Sequence, residues 1–220
     1  MTFRANGVSL AAMLEARTVS NSYVRTLLGV FAARGVDVPA LRAALRLDDA
    51  ALADPNGRLA PEVVRRLWER GLADTGDPLL GLAVAAAARP STFRALGLAA
   101  MTAASLADAL ALMLRCYRLV SESGALTARR DAAGDTAIVY TEQLRRVRLL
   151  PAQVEAIVGG MLAMARGLAE RALAPTAVAF KHAPQGDVGA YRRFFDADVR
   201  FGAAENVLQL AAADLARPLP

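Results

Sequence analysis

The chain has 220 residues, 55% apolar and 21% charged, with a formal net charge of +5. A chain of this length and apolar content hides roughly 70% of its extended surface in a core, which excludes a largely disordered segment. The positive charge is almost all arginine, since Lys181 is the single lysine among 26 basic residues. The doublets Arg65-Arg66, Arg129-Arg130, Arg145-Arg146 and Arg192-Arg193 fall in separate elements without interleaved aromatics, so they read as solvated faces and not as a nucleic-acid surface.

Residues 1–19 lack clear periodicity and read as a loose leader, and 20–220 as one domain. The apolar run VSLAAML runs at once into Glu15 and Arg17, where an export signal carries small uncharged residues. Ser20-Asn21 can cap a helix that places Tyr23, Leu27, Val30 and Phe31 on one face, and Gly35 sits where its C-terminus wants a left-handed residue. A short helix follows near 39–45, then the turn DPNG at 54–57. Pro61 opens a helix carrying Val64, Leu67, Trp68 and Leu72, which TGDP at 75–78 ends. The apolar helix at 79–88 is far shorter than the ~20 residues that span a bilayer.

A helix of small residues occupies 93–105. Ser105 and Asp108 have capping-box spacing and start a helix with Leu106, Leu110, Met113, Leu114, Tyr117 and Val120 at helical intervals. Cys116 lies in it; one cysteine excludes an internal disulfide framework and fits a reducing compartment, so the protein reads as soluble and cytoplasmic. ALTARRDAAGDTAIVYTEQL holds two extended runs around Gly134-Asp135, a hairpin pattern. Pro151 opens the longest helix, 151–173, whose Val154–Met161–Leu168 stripe is expected to face a sheet. Gly159-Gly160 inside it costs on the order of 1 kcal/mol each against Ala, which calls either for close packing of another backbone or for space for a small molecule. TAVAFKHA at 176–183 alternates as a strand, aiming Val178, Phe180 and His182 to one side. A helix near 187–195 and strands 199–201 and 207–210 close the chain. The fold class is α+β: a helix-rich N-terminal half, then a small mixed or antiparallel sheet packed against helices.

Catalytic chemistry is sparse. One His and one Cys do not make a metal site. Cys116 on an apolar helix face reads as a small hydrophobe, and His182 just before Pro184 reads as bonded to nearby backbone. No glycine-rich phosphate loop occurs, and Glu122, Glu142 and Glu155 fall in different elements. No enzyme, cofactor or metal is expected.

The order of segments carries more information than any one residue. A helix ending ARG, LADPNGRLAPEVVRRLWE, TGDPLLGL, RALGLAAMTAASLADALALMLRCYRLVS and YRRFFDADVRFGAAENVLQLAAADLARPLP form a series. This series resembles, over about 20–220, the N-terminal regulatory domain of one subgroup of AraC/XylS-type bacterial transcription regulators, the subgroup with an arabinose-binding-like domain. The resemblance implies effector sensing, self-association into a homodimer, and DNA contact only through a helix-turn-helix half absent from this sequence. It implies a pocket between helices and sheet for a small, partly apolar effector, with Met113, Cys116, Tyr117, Tyr140, Met161, Phe180 and His182 as candidate contacts. A protein-interaction or dimerisation module without a ligand is the alternative.

Overall fold

The computed structural model describes residues 17–144 and 147–220. Most of the expected leader, and the Arg145-Arg146 doublet, lie outside the described residues. The fold begins with a two-residue strand, β1 (Val19–Ser20), paired antiparallel with β2 (Arg58–Leu59). Glu122 fastens this start: its Oε2 accepts from the Thr18 amide (3.0 Å) and hydroxyl (2.8 Å).

Helices α1 (Asn21–Ala33), α2 (Val38–Ala44), α3 (Asp49–Ala53), α4 (Pro61–Thr75) and α5 (Leu80–Ala86) form the first half. Ser20, Asp37 and Asp48 cap the first three by accepting backbone N–H bonds, the role these short polar side chains favour. Gly35 and Gly76 take left-handed conformations (φ +84° and +61°), so α1 and α4 stop there. Their apolar faces meet at Phe31 and Trp68, edge to face with centroids 6.0 Å apart. Gly71 makes room for that contact, since a Cβ there would overlap the Phe31 ring.

A 3-10 turn (Pro90–Phe93) leads into α6 (Arg94–Met101), which packs beside α7 (Leu106–Cys116). The Asp108 amide donates to the Ser105 hydroxyl (3.2 Å), the cap that the sequence spacing predicts. A second 3-10 turn (Tyr117–Leu119) then carries the chain into the sheet.

The sheet comprises β3 (Gly124–Arg130), β4 (Thr136–Glu142), β5 (Ala177–Ala179), β6 (Val199–Arg200) and β7 (Asn206–Leu210), in the order β3-β4-β7-β5-β6. Only β5–β6 is parallel, so the sheet is mixed, as the α+β reading allows. Asp131 stabilises the β3–β4 turn through the amides of Ala133 (2.9 Å) and Asp135 (3.0 Å). The predicted strand at 176–183 is ladder-paired only over 177–179. Beyond it the Phe180 amide donates to Arg200 O and the Lys181 amide to Asn206 Oδ1 before Pro184 ends any further pairing.

Helix α8 (Pro151–Ala169) joins the halves. Its Val154, Met161 and Leu168 share one core with Ile138, Tyr140, Val178, Leu208 and Leu210 of the sheet, so the expected helix-on-sheet layer forms. Ala152 and Ala156 belong instead to the core of the first half. Glu170 adopts a left-handed conformation and stops the helix short of the predicted 173. Arg166 pins that end by donating to the carbonyls of Leu173, Phe194 and Phe195. The last two belong to α9 (Val188–Phe195); a short α10 (Ala212–Leu215) follows β7. The Arg129-Arg130 and Arg192-Arg193 doublets are exposed, on β3 and α9. No helix among the described residues is long and apolar enough to cross a membrane.

Helices α5 and α8 pack extensively against each other, with glycines at the contact. A Cβ on Gly81 would stand 2.5 Å from the Ala152 carbonyl oxygen, and one on Gly159 would stand 2.8 Å from Ala85 Cβ. Gly160 differs: the nearest atom to an added Cβ is Ala88 Cβ at 3.7 Å. The two adjacent glycines therefore differ: Gly159 is closely packed, while a Cβ on Gly160 would meet only ordinary van der Waals contact. Gly81→Ala should cost about 1–3 kcal/mol, because backbone cannot step aside. Gly160→Ala should be neutral or stabilising by up to about 1 kcal/mol through helix propensity. Urea denaturation of the two variants checks the contrast; equal effects would mean the helices are not in backbone contact at Gly81.

Candidate functional site

An internal cavity of about 70 Å³ lies where the two halves meet. One face of α8 lines it with Gln153, Ala156, Ile157, Gly160, Met161 and Met164, positions that recur at helical spacing. Helix α1 adds Tyr23 and Thr26; Phe93 and Leu96 come from the 3-10 turn and α6. Met113 of α7 is followed by Tyr117, Val120, Ser121 and Ser123 from the segment leading to β3. Among the described residues no Asp, Glu, Lys, Arg or His lines the cavity. Burial lifts the Tyr23 and Tyr117 hydroxyls well above the usual phenol range, so both stay protonated at any working pH.

Of the seven candidate contacts, Met113, Tyr117 and Met161 line this cavity. Tyr140 stands behind it, edge to face with Tyr117 at 6.4 Å between centroids. Its hydroxyl is buried against Gly124 and has no hydrogen-bond partner among the described residues. Tyr140 and His182 also line a second, more polar cleft of about 530 Å³ between β4, β7 and the start of α8. Glu142 and Glu205 border that cleft but are engaged, Glu142 with the Leu149 amide (2.8 Å) and Glu205 with Arg129 (2.6 Å). Phe180 touches neither space; it is fully buried among Phe195, Phe201 and His182. Cys116 is half-buried and lines neither.

Sequence reasoning passed over Tyr23, Thr26, Gln153, Ser121, Ser123 and Met164. Gln153 carried a signal: a polar residue in the first turn of a mostly apolar helix, 4% exposed in the fold. The serines gave none, because a loop has no periodicity from which burial can be inferred.

A second buried cluster lies on the other side of α8. Glu155 is fully buried; its Oε1 accepts from the Tyr191 hydroxyl of α9 (2.6 Å), and its Oε2 has no partner among the described residues. His182 bonds backbone as expected, its Nδ1 lying 2.8 Å from Ala183 O. A carbonyl only accepts, so Nδ1 carries the proton and Nε2 turns a lone pair toward Glu155 Oε1, 3.8 Å away. Burial pushes the Glu155 carboxyl up to about 7, with the Tyr191 bond acting in the opposite sense. Burial also lowers His182 below its ordinary 6.5, opposed by its bond to Ala183. No group of three or more His, Cys, Asp and Glu among the described residues could hold a metal ion.

Residues 35–219 match the family described as the arabinose-binding domain of AraC transcription regulators, N-terminal, and the chain belongs to that family. It is 26% identical over 205 residues to the ornithine utilization regulator of Pseudomonas aeruginosa, covering 93% of this chain and 60% of that protein. The crystal structure of the transcriptional regulator CdpR from Pseudomonas aeruginosa shares the fold. Its TM-score is 0.61 at 20% identity, over 90% of this chain and 57% of that one. The chain thus spans less than two thirds of either relative. It is a regulatory domain of the AraC type, and its family and relatives are transcription regulators, not enzymes.

Glu155 makes stability pH-dependent. Its folded pKa is raised, so its stabilising contribution is complete below about pH 4.5 and is lost as pH rises toward 7. His182 works the other way: its neutral form favours the folded state above 6.5, and that contribution fades as pH falls. Glu155→Gln keeps the shape and removes the first effect, so the variant should gain on the parent by roughly 3 kcal/mol between pH 4.5 and 8. Chemical denaturation at three pH values reads this; a stability gap that does not change with pH would show that the carboxyl does not titrate in this range.

Proposed function

We propose that this domain senses a small, partly apolar effector in the seam cavity and transmits its occupancy to the DNA-binding half of a full regulator. The observation that supports this reading is the position of the cavity. Val64 and Val84 of its wall belong to the core of the first half, and Met113, Met161 and Met164 to the core beneath the sheet. A molecule there favours whichever arrangement of the two halves it fits better, and ~1–3 kcal/mol of such coupling is enough for a useful switch. The methionines and small side chains on α8 give the wall room to adapt.

The domain also pairs with a second copy in this proposal. The large hydrophobic side chains that stay exposed among the described residues are Leu98 (65%), Met101 (54%) and Leu119 (62%), all on α6 or the 3-10 turn after α7. A two-fold pairing of this surface would bury all three and set two DNA-binding units on paired half-sites. The same surface also supports the alternative of an interaction module without a ligand. The full regulator is placed in the cytoplasm, and only its helix-turn-helix half reads DNA.

Two variants separate the readings. Met161→Trp fills the cavity and should abolish any ligand-induced rise in melting temperature; a ligand at 100 times its Kd otherwise adds about 2.7 kcal/mol. Leu98→Lys combined with Leu119→Lys should turn a dimer into a monomer in light scattering and leave ligand binding intact. A domain that dimerises but gains stability from no small molecule, in parent and variant alike, would favour the module without a ligand.

A further inference from the structure

The cavity's own chemistry defines what it can hold, on the reading that it is the sensing site. Charge comes first. Among the described residues no lining side chain is ionisable near neutral pH, so an ammonium or carboxylate placed there would lose its water and meet no counter-charge from them. A zwitterionic amino acid is excluded on that ground. A sugar is excluded on another, because each of its hydroxyls needs a partner and most of the wall is hydrocarbon.

Thr26 and Thr92 of the wall bond backbone, Thr26 Oγ1 donating to Ser22 O (3.3 Å) and Thr92 Oγ1 accepting from the Arg89 amide (3.1 Å). The other polar groups gather at one end. Tyr140 of β4 stands near the α8 N-terminus, where it shares the second cleft with Leu149, Pro151 and Val154. Tyr117 packs on Tyr140, and Ser123 O accepts from the Gln143 amide just beyond β4. Val19, next to the start of α1, bridges to Ser121. Gln153 belongs to the same end; its Oε1 takes the Leu150 amide (2.9 Å), which leaves its Nε2 protons as donors. Met164 is eleven residues further along α8, about 16 Å at 1.5 Å per residue, beside Met161 and Gly160. The cavity thus has a hydrogen-bonding pole and an apolar pole.

Size is the third limit. About 70 Å³ is roughly half of the ~150 Å³ cavity that accepts benzene, so a single ring fits only as the methionines shift. We propose that the cavity binds an uncharged, largely apolar molecule no bigger than about one ring. Its lone hydroxyl or carbonyl sits among Tyr117, Ser121 and Gln153, and its hydrocarbon points along α8 toward Ile157 and Met161.

Calorimetry and thermal shift on the 220-residue domain test this with four probes at pH 7: benzyl alcohol, toluene, benzoate and L-ornithine. Benzyl alcohol should bind most tightly, toluene more weakly, and the two ions should show no saturable binding. Tyr117→Phe should weaken benzyl alcohol about 5- to 10-fold, the value of one hydrogen bond, and leave toluene unchanged. Met161→Trp should remove all binding; Ile157→Phe, a smaller filling change, serves if the first variant fails to fold. Benzoate or ornithine binding that Met161→Trp abolishes would overturn the ligand class while keeping the cavity as the sensor. Binding that survives both filling variants would overturn the cavity itself, and no binding by benzyl alcohol at millimolar concentration would overturn this proposal.

Discussion

The backbone contact between α5 and α8 is the constraint on which the rest of the structure depends. Gly81 against the Ala152 carbonyl and Gly159 against Ala85 let two helices approach more closely than side chains with a Cβ allow. Both helices serve two cores: Leu80 and Val84 of α5 belong to the first half, Leu82 to the second, and α8 divides in the same way between Ala156 and Val158. The two halves are therefore one body joined through a shared helix pair, and a change in that pair is felt on both sides.

The close approach also determines where space is left over. Gly160, next to that contact, borders the seam that Tyr23, Tyr117 and Met161 surround. An apolar void in a protein interior forfeits dispersion contacts on its walls, so it stands as a stored deficit that a fitting molecule can relieve. On the opposite side of α8 Glu155 is fully buried with Tyr191 and His182 as its neighbours, and His182 in turn borders the second, more polar cleft. One helix thus has an uncharged flank and an ionisable one.

Membership of the AraC-type regulatory family identifies a regulatory domain and names no molecule for this chain. The family description carries a sugar and a relative's name carries an amino acid. The wall of this cavity has neither the charges for one nor the density of polar groups for the other. At 20% identity the CdpR structure retains the fold, and a shared fold does not by itself fix what a site takes.

The amino-acid sequence determined the elements, because they rest on local physics. Ser20, Ser105 and Gly76 mark helix ends, Asp131 to Asp135 make the hairpin turn, and the apolar stripe of α8 faces the sheet as its periodicity requires. It also determined part of the site: Met113, Tyr117 and Met161 lie on apolar helix faces that had to point inward. What it did not determine was which inward-facing residues meet one another. Phe180 and Met161 look alike in a strand or helix pattern, yet one fills solid packing and the other borders a void. The meeting of Glu155 with His182 and Tyr191, 27 and 36 residues away, was equally hidden. Such contacts depend on how three helices and a sheet settle around two glycines, a property of distances between elements that no repeat within an element encodes.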